Sequence, residues 1–419
     1  MAQHFIVIGA GIVGISAGLY LQRDGHRVTV IDERDPGDGT SKGNASIIAI
    51  ESCIPMATPG VAWDVPGYLS DPMGPLAIRW SYLPKIAPWL IRFIAASKPD
   101  RVEEISIALR SLMLQALGAH KTLLKETGEP EILRETGWLA IFETDKKFQS
   151  YQWDLDIQRR RGVKFDIIPA EEVRQFEPSL EPIIRHAVYY PENAYAANNY
   201  RLVKLLAADF ARRGGVILKE KVTGFDIGLN GPTHVNTASG KHAADSVVVA
   251  AGAWSKQLTR QLGHKVPLDT ERGYHVTLPN AGRMPRMPLY SSDHSFVITP
   301  LDVGLRFAGT VELGGLEAAP DYRRAEILMK HGRRLFGNLD ETGRSDWMGF
   351  RPSMPDSLPV ISRGTRWANT YFGYGHGHIG LTLGPLTGRL IADLAAGRDP
   401  GLDMRPFRID RFQRVHLGW

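Results

Sequence analysis

The alternation of apolar and polar positions divides the chain into blocks of different character. "HFIVIGA" at 4–10 is a short apolar run closed by glycine, the pattern of a buried strand. "GIVGISAGLYLQRDG" follows with small and apolar residues at helical spacing and Gly25 beyond its end. "HRVTVIDE" then reads as a second strand ending in acids, completing a β-α-β unit. Residues 54–99 are rich in Pro and Trp, which predicts no long helix there. Residues 101–127 repeat apolar positions at 102, 105, 109, 112, 113, 116 and 117, a helix. "GWLAIFET" predicts a strand, "DKKFQSYQWDLDIQRRRG" an amphipathic helix, and "AEEVRQFEPSL" a short helix ended by Pro178.

A second α/β block follows. "NNYRLVKLLAADFARRGG" is a helix with Asn198 or Asn199 as N-cap and a Gly-Gly stop. "VILKEKVTGFDIG", "THVNTAS" and "HAADSVVVAAGAW" read as strands, and residues 265–312 alternate as a mainly antiparallel sheet. "YRRAEILMKHGRRLF" is a helix, and "YFGYGHGHIGLTLGPLTGRLIADLAAG" closes as strand, glycine loop and helix. The expected fold is α/β with an α+β second domain: a Rossmann-like part interleaved with a part built on the antiparallel sheet. The division expected is 1–60, 150–264 and 345–419 for the first, and 61–149 and 265–344 for the second. A chain of 419 residues is long enough for two such cores.

Composition narrows the function classes. The net charge of +5 is mild, and "RRR" at 159–161 is the longest basic run, so no nucleic-acid partner is expected. Cys53 is the only cysteine, which excludes an internal disulfide or a Cys-cluster metal site and suits a reducing, cytoplasmic compartment. No apolar run reaches the length of a membrane span, and "MAQHFIVIGA" runs straight into a strand without a signal-peptide pattern.

Two stretches carry chemistry. Gly9, Gly11 and Gly14 form G-x-G-x-x-G between strand and helix, and Asp32 follows at close to the separation of about 20 residues where an acid meets a nucleotide ribose. In "GYGHGHIGLTLGPLTG", glycines at 373, 375, 377 and 380 lead into a helix whose first N–H groups suit the negative charge of a reduced flavin; a nicotinamide has no such need.

The ordered set "IVIGAGIVGISAGLYLQRDGHRVTVIDE", "VVVAAGAWS" (247–255), "GFRPSMPDSLPVIS" (349–362) and "GYGHGHIGLTLGPLTGRLIADL" (373–394) resembles the D-amino-acid oxidase and dehydrogenase superfamily, nearest its bacterial dehydrogenases. The resemblance implies FAD. It assigns Gly9, Ala10, Gly11, Ile12, Val13 and Gly14 to the pyrophosphate, and Asp32 and Glu33 to the ribose end. Ser41, Lys42, Asn44, Ala45 and Ser46 fall beside the ribityl chain and flavin, Val222 by the adenine. Ala251, Gly252 and Trp254 line the cofactor; Trp254 reads equally as plain core. Gly377, His378, Ile379, Gly380, Leu381 and Thr382 face the flavin's pyrimidine edge. Cys53 lies far from the C-terminal flavin loop, so noncovalent FAD is expected.

On the substrate side, Arg351 matches the family arginine that clamps a carboxylate, as a planar guanidinium does bidentately. Tyr274 fits a second hydroxyl for that carboxylate, or a core-edge tyrosine. Arg306 aligns loosely with a cation over the flavin, and His294 and His275 are in reach of substrate or structural. His376 and His378 make a poor metal pair, and no metal is expected. The reaction implied is oxidative deamination of a small or cyclic D-amino acid, of D-proline, hydroxyproline or D-alanine type. Hydride passes from Cα to flavin N5, and electrons go on to a quinone of the respiratory chain or to O2, with dehydrogenase favoured. Two alternatives stand beside it: a secondary-amine oxidase of the sarcosine or glycine type, and a noncatalytic flavoprotein subunit. Residues 61–95, with Trp63, Trp80, Trp89, Leu90, Ile91 and Phe93, read either as peripheral contact on the inner face of the membrane or as a cover over the substrate pocket. Assembly into a homo-oligomer stays open.

Overall fold

Two sheets built on different patterns organise the chain, as seen in a computed structural model that describes residues 2–61, 74 and 76–413. Trp63 lies outside the described residues. The first sheet has six strands in the order Val216–Lys219, Arg27–Asp32, His4–Ile8, Ser246–Val249, Thr370–Tyr374 and Val360–Arg363. The first five run parallel, and the last is antiparallel to its neighbour. Such a sheet is buried on both faces, which explains the unbroken apolar runs. Phe5 and Val7 pack on the helical side with the helices Ile12–Arg23 and Gly380–Ala396. Ile6 and Ile8 pack on the other side, with Val235 of the strand Gly231–Thr237.

The G-x-G-x-x-G turn has the predicted cause. Gly9 has φ +112°, and a Cβ there would lie 2.4 Å from the Ala250 carbonyl oxygen. A Cβ on Gly14 would lie 1.8 Å from the Gly9 carbonyl oxygen, so only glycine lets the first helix leave the strand this closely. The terminal helix crosses the first helix just as tightly: a Cβ on Gly388 would lie 2.5 Å from the backbone of Ser16.

The second sheet has nine strands and is mainly antiparallel. Its order is Ser345–Ser353, Asp269–Leu278, Gly304–Leu313, Phe296–Leu301, Leu289–Ser291, Trp138–Phe142, His186–Tyr190 and Asp166–Pro169, with Leu76–Ile78 paired parallel to Gly304–Leu313. The strands at 166–169, 186–190 and 345–353 therefore hydrogen-bond into this sheet, whereas the division expected from sequence grouped them with the dinucleotide part. The helix Asp145–Arg160 packs on this sheet, with Leu155 against Phe142 and Val188.

The proline-rich segment also departs from expectation. Leu83–Ala96 is a helix that contains Pro88. Pro84 occupies its first turn, where no N–H is needed, and the bond lost at Pro88 falls on the exposed face. Trp89 holds this helix down by donating its indole N–H to the Ser353 carbonyl at 3.1 Å and stacking on Phe93.

Candidate functional site

The two sheets meet across one continuous cavity of about 1820 Å³. That exceeds the roughly 300–1,000 Å³ of a site for one small ligand and suits a dinucleotide with a second molecule. Its wall begins at Gly9, Ala10, Gly11, Ile12 and Val13, passes Asp32 and Glu33, and continues past Val222, Ala251, Gly252 and Trp254. Gly14 is not on the wall; it sits beneath Gly9 and serves the approach of helix to strand. Asp32 takes one backbone N–H on each oxygen, from Ala10 at 2.7 Å and Arg34 at 2.9 Å, which orients the carboxylate at the end of its strand. Burial raises its pKa, against those two hydrogen bonds.

The turn at 39–46 is the most heavily braced part of the site. Ser41 Oγ accepts the Ile12 N–H at 3.1 Å, joining the turn to the first helix. Asn199 donates its amide to the carbonyls of Ser41 (2.7 Å) and Lys42 (2.9 Å). Arg306 donates to the carbonyls of Asn44 (3.0 Å) and Lys42 (3.4 Å) and to Asn199 Oδ1 (3.1 Å). His275 Nδ1 donates to the Gly43 carbonyl at 2.7 Å, and Thr299 donates to the Ala45 carbonyl at 2.7 Å. Trp347 stacks on His275 and lies against Gly43, where a Cβ would be 2.3 Å from the indole. Ser41, Asn44, Ala45 and Ser46 line the cavity. Lys42 does not: its ammonium lies over the Tyr200 ring at 5.0 Å, and its carbonyl is what the site uses.

The far wall is the terminal turn. Gly377–Ile379 is a tight helical turn leading into Gly380–Ala396, and Gly377, His378, Ile379, Gly380, Leu381 and Thr382 all line the cavity. Thr382 Oγ1 accepts the Ala49 N–H at 3.1 Å, so the two loops that flank the cavity are tied together. His376 and His378 both line the cavity; the His376 ring is held by Thr387 Oγ1 at 2.8 Å. Burial within the walls, and then Arg351, push the pKa of His378 down to about 4.

Arg351 stands on the cavity wall on the strand Ser345–Ser353, which a bridge between Ser353 and His376 ties to the terminal turn. Its guanidinium lies flat on Gly273 of the neighbouring strand, where a Cβ would be 2.4 Å from Cζ. It donates to the Thr310 carbonyl at 2.9 Å and more weakly to Gly309 at 3.5 Å, leaving further donors toward the cavity.

The other three sequence candidates on this side do other work. Tyr274 touches the wall, but its hydroxyl donates to Glu312 at 2.5 Å and accepts the Asp321 N–H at 2.8 Å. It sits one residue out of phase with Gly273, where a register shift falls between Arg272 and Tyr274. Arg306 braces the 39–46 turn and does not line the cavity; burial brings its pKa down to about 10. His294 pairs with Glu143 at 2.9 Å and stacks on His331 with centroids 3.7 Å apart, away from the cavity. Sequence reasoning missed Glu271, Gly273 and Trp347, all on the wall. Alternation along "ERGYHV" was the available signal, since Glu271, Gly273 and His275 share one face of their strand.

The groups present fit FAD: two glycines pressed under a backbone that must approach closely, a carboxylate on the cavity wall at a strand end, and two helix starts that open on one cavity. Fold and site together define a dinucleotide-dependent oxidoreductase. Residues 4–394 match the family described as DAO, FAD dependent oxidoreductase, and the chain belongs to it; its cofactor is FAD. It is 41% identical to a D-amino-acid oxidase of Bradyrhizobium diazoefficiens, over 98% of this chain and 99% of that one. It is 30% identical to a D-amino acid dehydrogenase of Paramagnetospirillum magneticum, over 97% and 98%. In fold it is similar to L-proline dehydrogenase from P. horikoshii, with TM-score 0.74 at 21% identity, covering 99% of this chain and 98% of that one. Glycine oxidase from Geobacillus kaustophilus gives TM-score 0.73 at 20% identity, with full coverage of both chains.

Proposed function

We propose that the chain oxidises a free D-amino acid, with Arg351 holding the substrate carboxylate. The observation that carries this is the guanidinium laid across Gly273, with donors facing the cavity that the 377–382 turn also lines. Bound FAD supplies the two-electron acceptor. The chain supplies orientation: Arg351 fixes one end of the substrate, and the braced turn at 39–46 and the terminal turn fix the cofactor's position relative to it. Loss of hydride from Cα leaves an imine, which water converts to a 2-oxo acid and ammonia, or which stays cyclic for a ring amine. Cys53 is fully buried and its thiol is pushed up to about 11, which favours noncovalent FAD.

Trp89, Leu90, Phe93 and Ile94 line the cavity, which supports the helix Leu83–Ala96 as a cover, while Ile91 on its outer side and Trp80 in the turn before it stand exposed. No helix among the described residues is long and apolar enough to cross a membrane. The acceptor we favour is a quinone approached through that outer face; the oxidase name of the 41% relative makes O2 the second reading. Anaerobic flavin bleaching by a panel of D- and L-amino acids, sarcosine, and the cis and trans hydroxyprolines tests the substrate. Bleaching by D-amino acids alone supports the reading, and faster bleaching by sarcosine refutes it. Reoxidation by O2 or by a soluble quinone then decides the acceptor.

A further inference from the structure

Glu271 is the strand neighbour of Arg351: the two are opposed in the antiparallel pair of Asp269–Leu278 with Ser345–Ser353, and both line the cavity. Opposed residues on such strands stand about 5 Å apart. The guanidinium turns away from Glu271, across Gly273, toward the carbonyls of Thr310 and Gly309. A cation and an anion thus face the same space side by side without closing on each other. An amino acid presents the complementary pair, carboxylate and ammonium on one carbon.

We propose that Glu271 binds the substrate's ammonium beside Arg351 and takes its proton. The inference rests on the amino-acid reading above. The substrate arrives as the zwitterion. One N–H bond breaks, its proton passes to a Glu271 carboxylate oxygen, and the electron pair stays on nitrogen as a lone pair. The neutral carboxylic acid later returns that proton to solvent. The amine needs this lone pair to become an imine as Cα–H is lost as hydride. Burial, and to a lesser degree Asp269, raise the pKa of Glu271 against the opposing pull of Arg351 and the Ser353 hydroxyl, which makes it a better proton acceptor than an exposed glutamate. Few other charges face it. Asp269, two residues earlier, accepts from the Tyr82 hydroxyl at 2.9 Å and has Lys256 Nζ at 3.9 Å. His378 comes from the terminal turn and is held neutral.

The test uses the flavin-loaded protein and two probes that cannot be oxidised at Cα. 2-Aminoisobutyrate is a zwitterion without a Cα–H; pivalate is its shape with a methyl in place of the ammonium. Binding is read by calorimetry and by perturbation of the visible flavin band. The wild type should bind 2-aminoisobutyrate at least about tenfold more tightly than pivalate, as expected for one charge-assisted contact. Glu271→Gln should erase or invert that preference. With an oxidisable D-amino acid, E271Q should shift the pH dependence of anaerobic bleaching toward the pKa of the free amine. Equal binding of the two probes by the wild type overturns the proposal with no variant needed. So does an E271Q protein that keeps both the preference and the wild-type pH profile. If 2-aminoisobutyrate binds as expected but no amino acid bleaches the flavin, the proposed function fails and the ammonium site stands.

Discussion

Arg306 separates two accounts of the site. The sequence suggested a cation over the flavin, whereas its guanidinium holds the turn at 39–46 from beneath. Arg306→Met keeps the bulk and removes the donors. It leaves the Asn44 carbonyl, the Lys42 carbonyl and Asn199 Oδ1 without Arg306. Each buried acceptor so stripped costs about 1–3 kcal/mol, and the 3.4 Å bond counts least. Against this, burial has brought the arginine pKa from 12.5 to about 10. At about 1.4 kcal/mol per unit, a neutral side chain recovers about 3 kcal/mol of that desolvation. Taking about 2 kcal/mol for each of the two closer acceptors and about 1 for the Lys42 carbonyl, which keeps Asn199 as a donor, the net destabilisation is about 2 kcal/mol, and it falls on a turn that borders the cavity. Denaturant unfolding of the apoprotein by circular dichroism should show that loss, and flavin should dissociate more readily from R306M. An R306M protein of unchanged stability and flavin affinity that reduces its flavin more slowly would refute the brace and restore the arginine to the reacting face.

Other substitutions divide along the same geometry. Gly273→Ala puts a methyl where the Arg351 guanidinium lies, so it should weaken substrate binding, seen as a raised KM, while flavin content holds. Tyr274→Phe removes the donor to Glu312 and should cost about 1–2 kcal/mol in unfolding experiments while bleaching persists, since that hydroxyl is committed elsewhere. Burial first, and then Arg306, hold the pKa of His275 down at about 3 against an ordinary 6.5. Below pH 6.5 the unfolded chain takes a proton that the folded one refuses, so stability present above 6.5 is lost progressively down to about 3. Unfolding free energy measured between pH 4 and 6 should therefore fall less steeply with acid in His275→Asn, by about one proton or about 1.4 kcal/mol per pH unit. An unchanged slope would mean that His275 is already charged in the fold.

The parts of the site legible in the sequence are those where a local backbone demand leaves a local trace. Gly9 and Gly14 are glycines because a carbonyl occupies the place of a Cβ, and the 377–382 turn announces itself through the glycines before a helix. The place of Arg351 on the cavity wall was legible through its surrounding motif. The partners of Tyr274, Arg306 and His294 were not, because what a strand residue meets depends on its neighbours: a register shift beside Tyr274, a turn beneath Arg306, and a glutamate and a histidine beside His294. Glu271 gains meaning only from Arg351, far away in sequence and opposite in the sheet. For the same reason only pairing assigns the strands Asp166–Pro169 and His186–Tyr190 to the second sheet.

The claim on which the account turns is that Arg351 grips a carboxylate, and the most direct measurement compares a D-amino acid with its methyl ester. Anaerobic bleaching of the flavin-loaded wild type should be about a hundredfold faster with the acid at low concentration. Two hydrogen bonds from a charged donor are worth about 3 kcal/mol in sum. In Arg351→Met the acid and the ester should bleach the flavin at similar, slow rates. An ester that serves the wild type as well as the acid, or an R351M protein that still prefers the acid, would contradict the account.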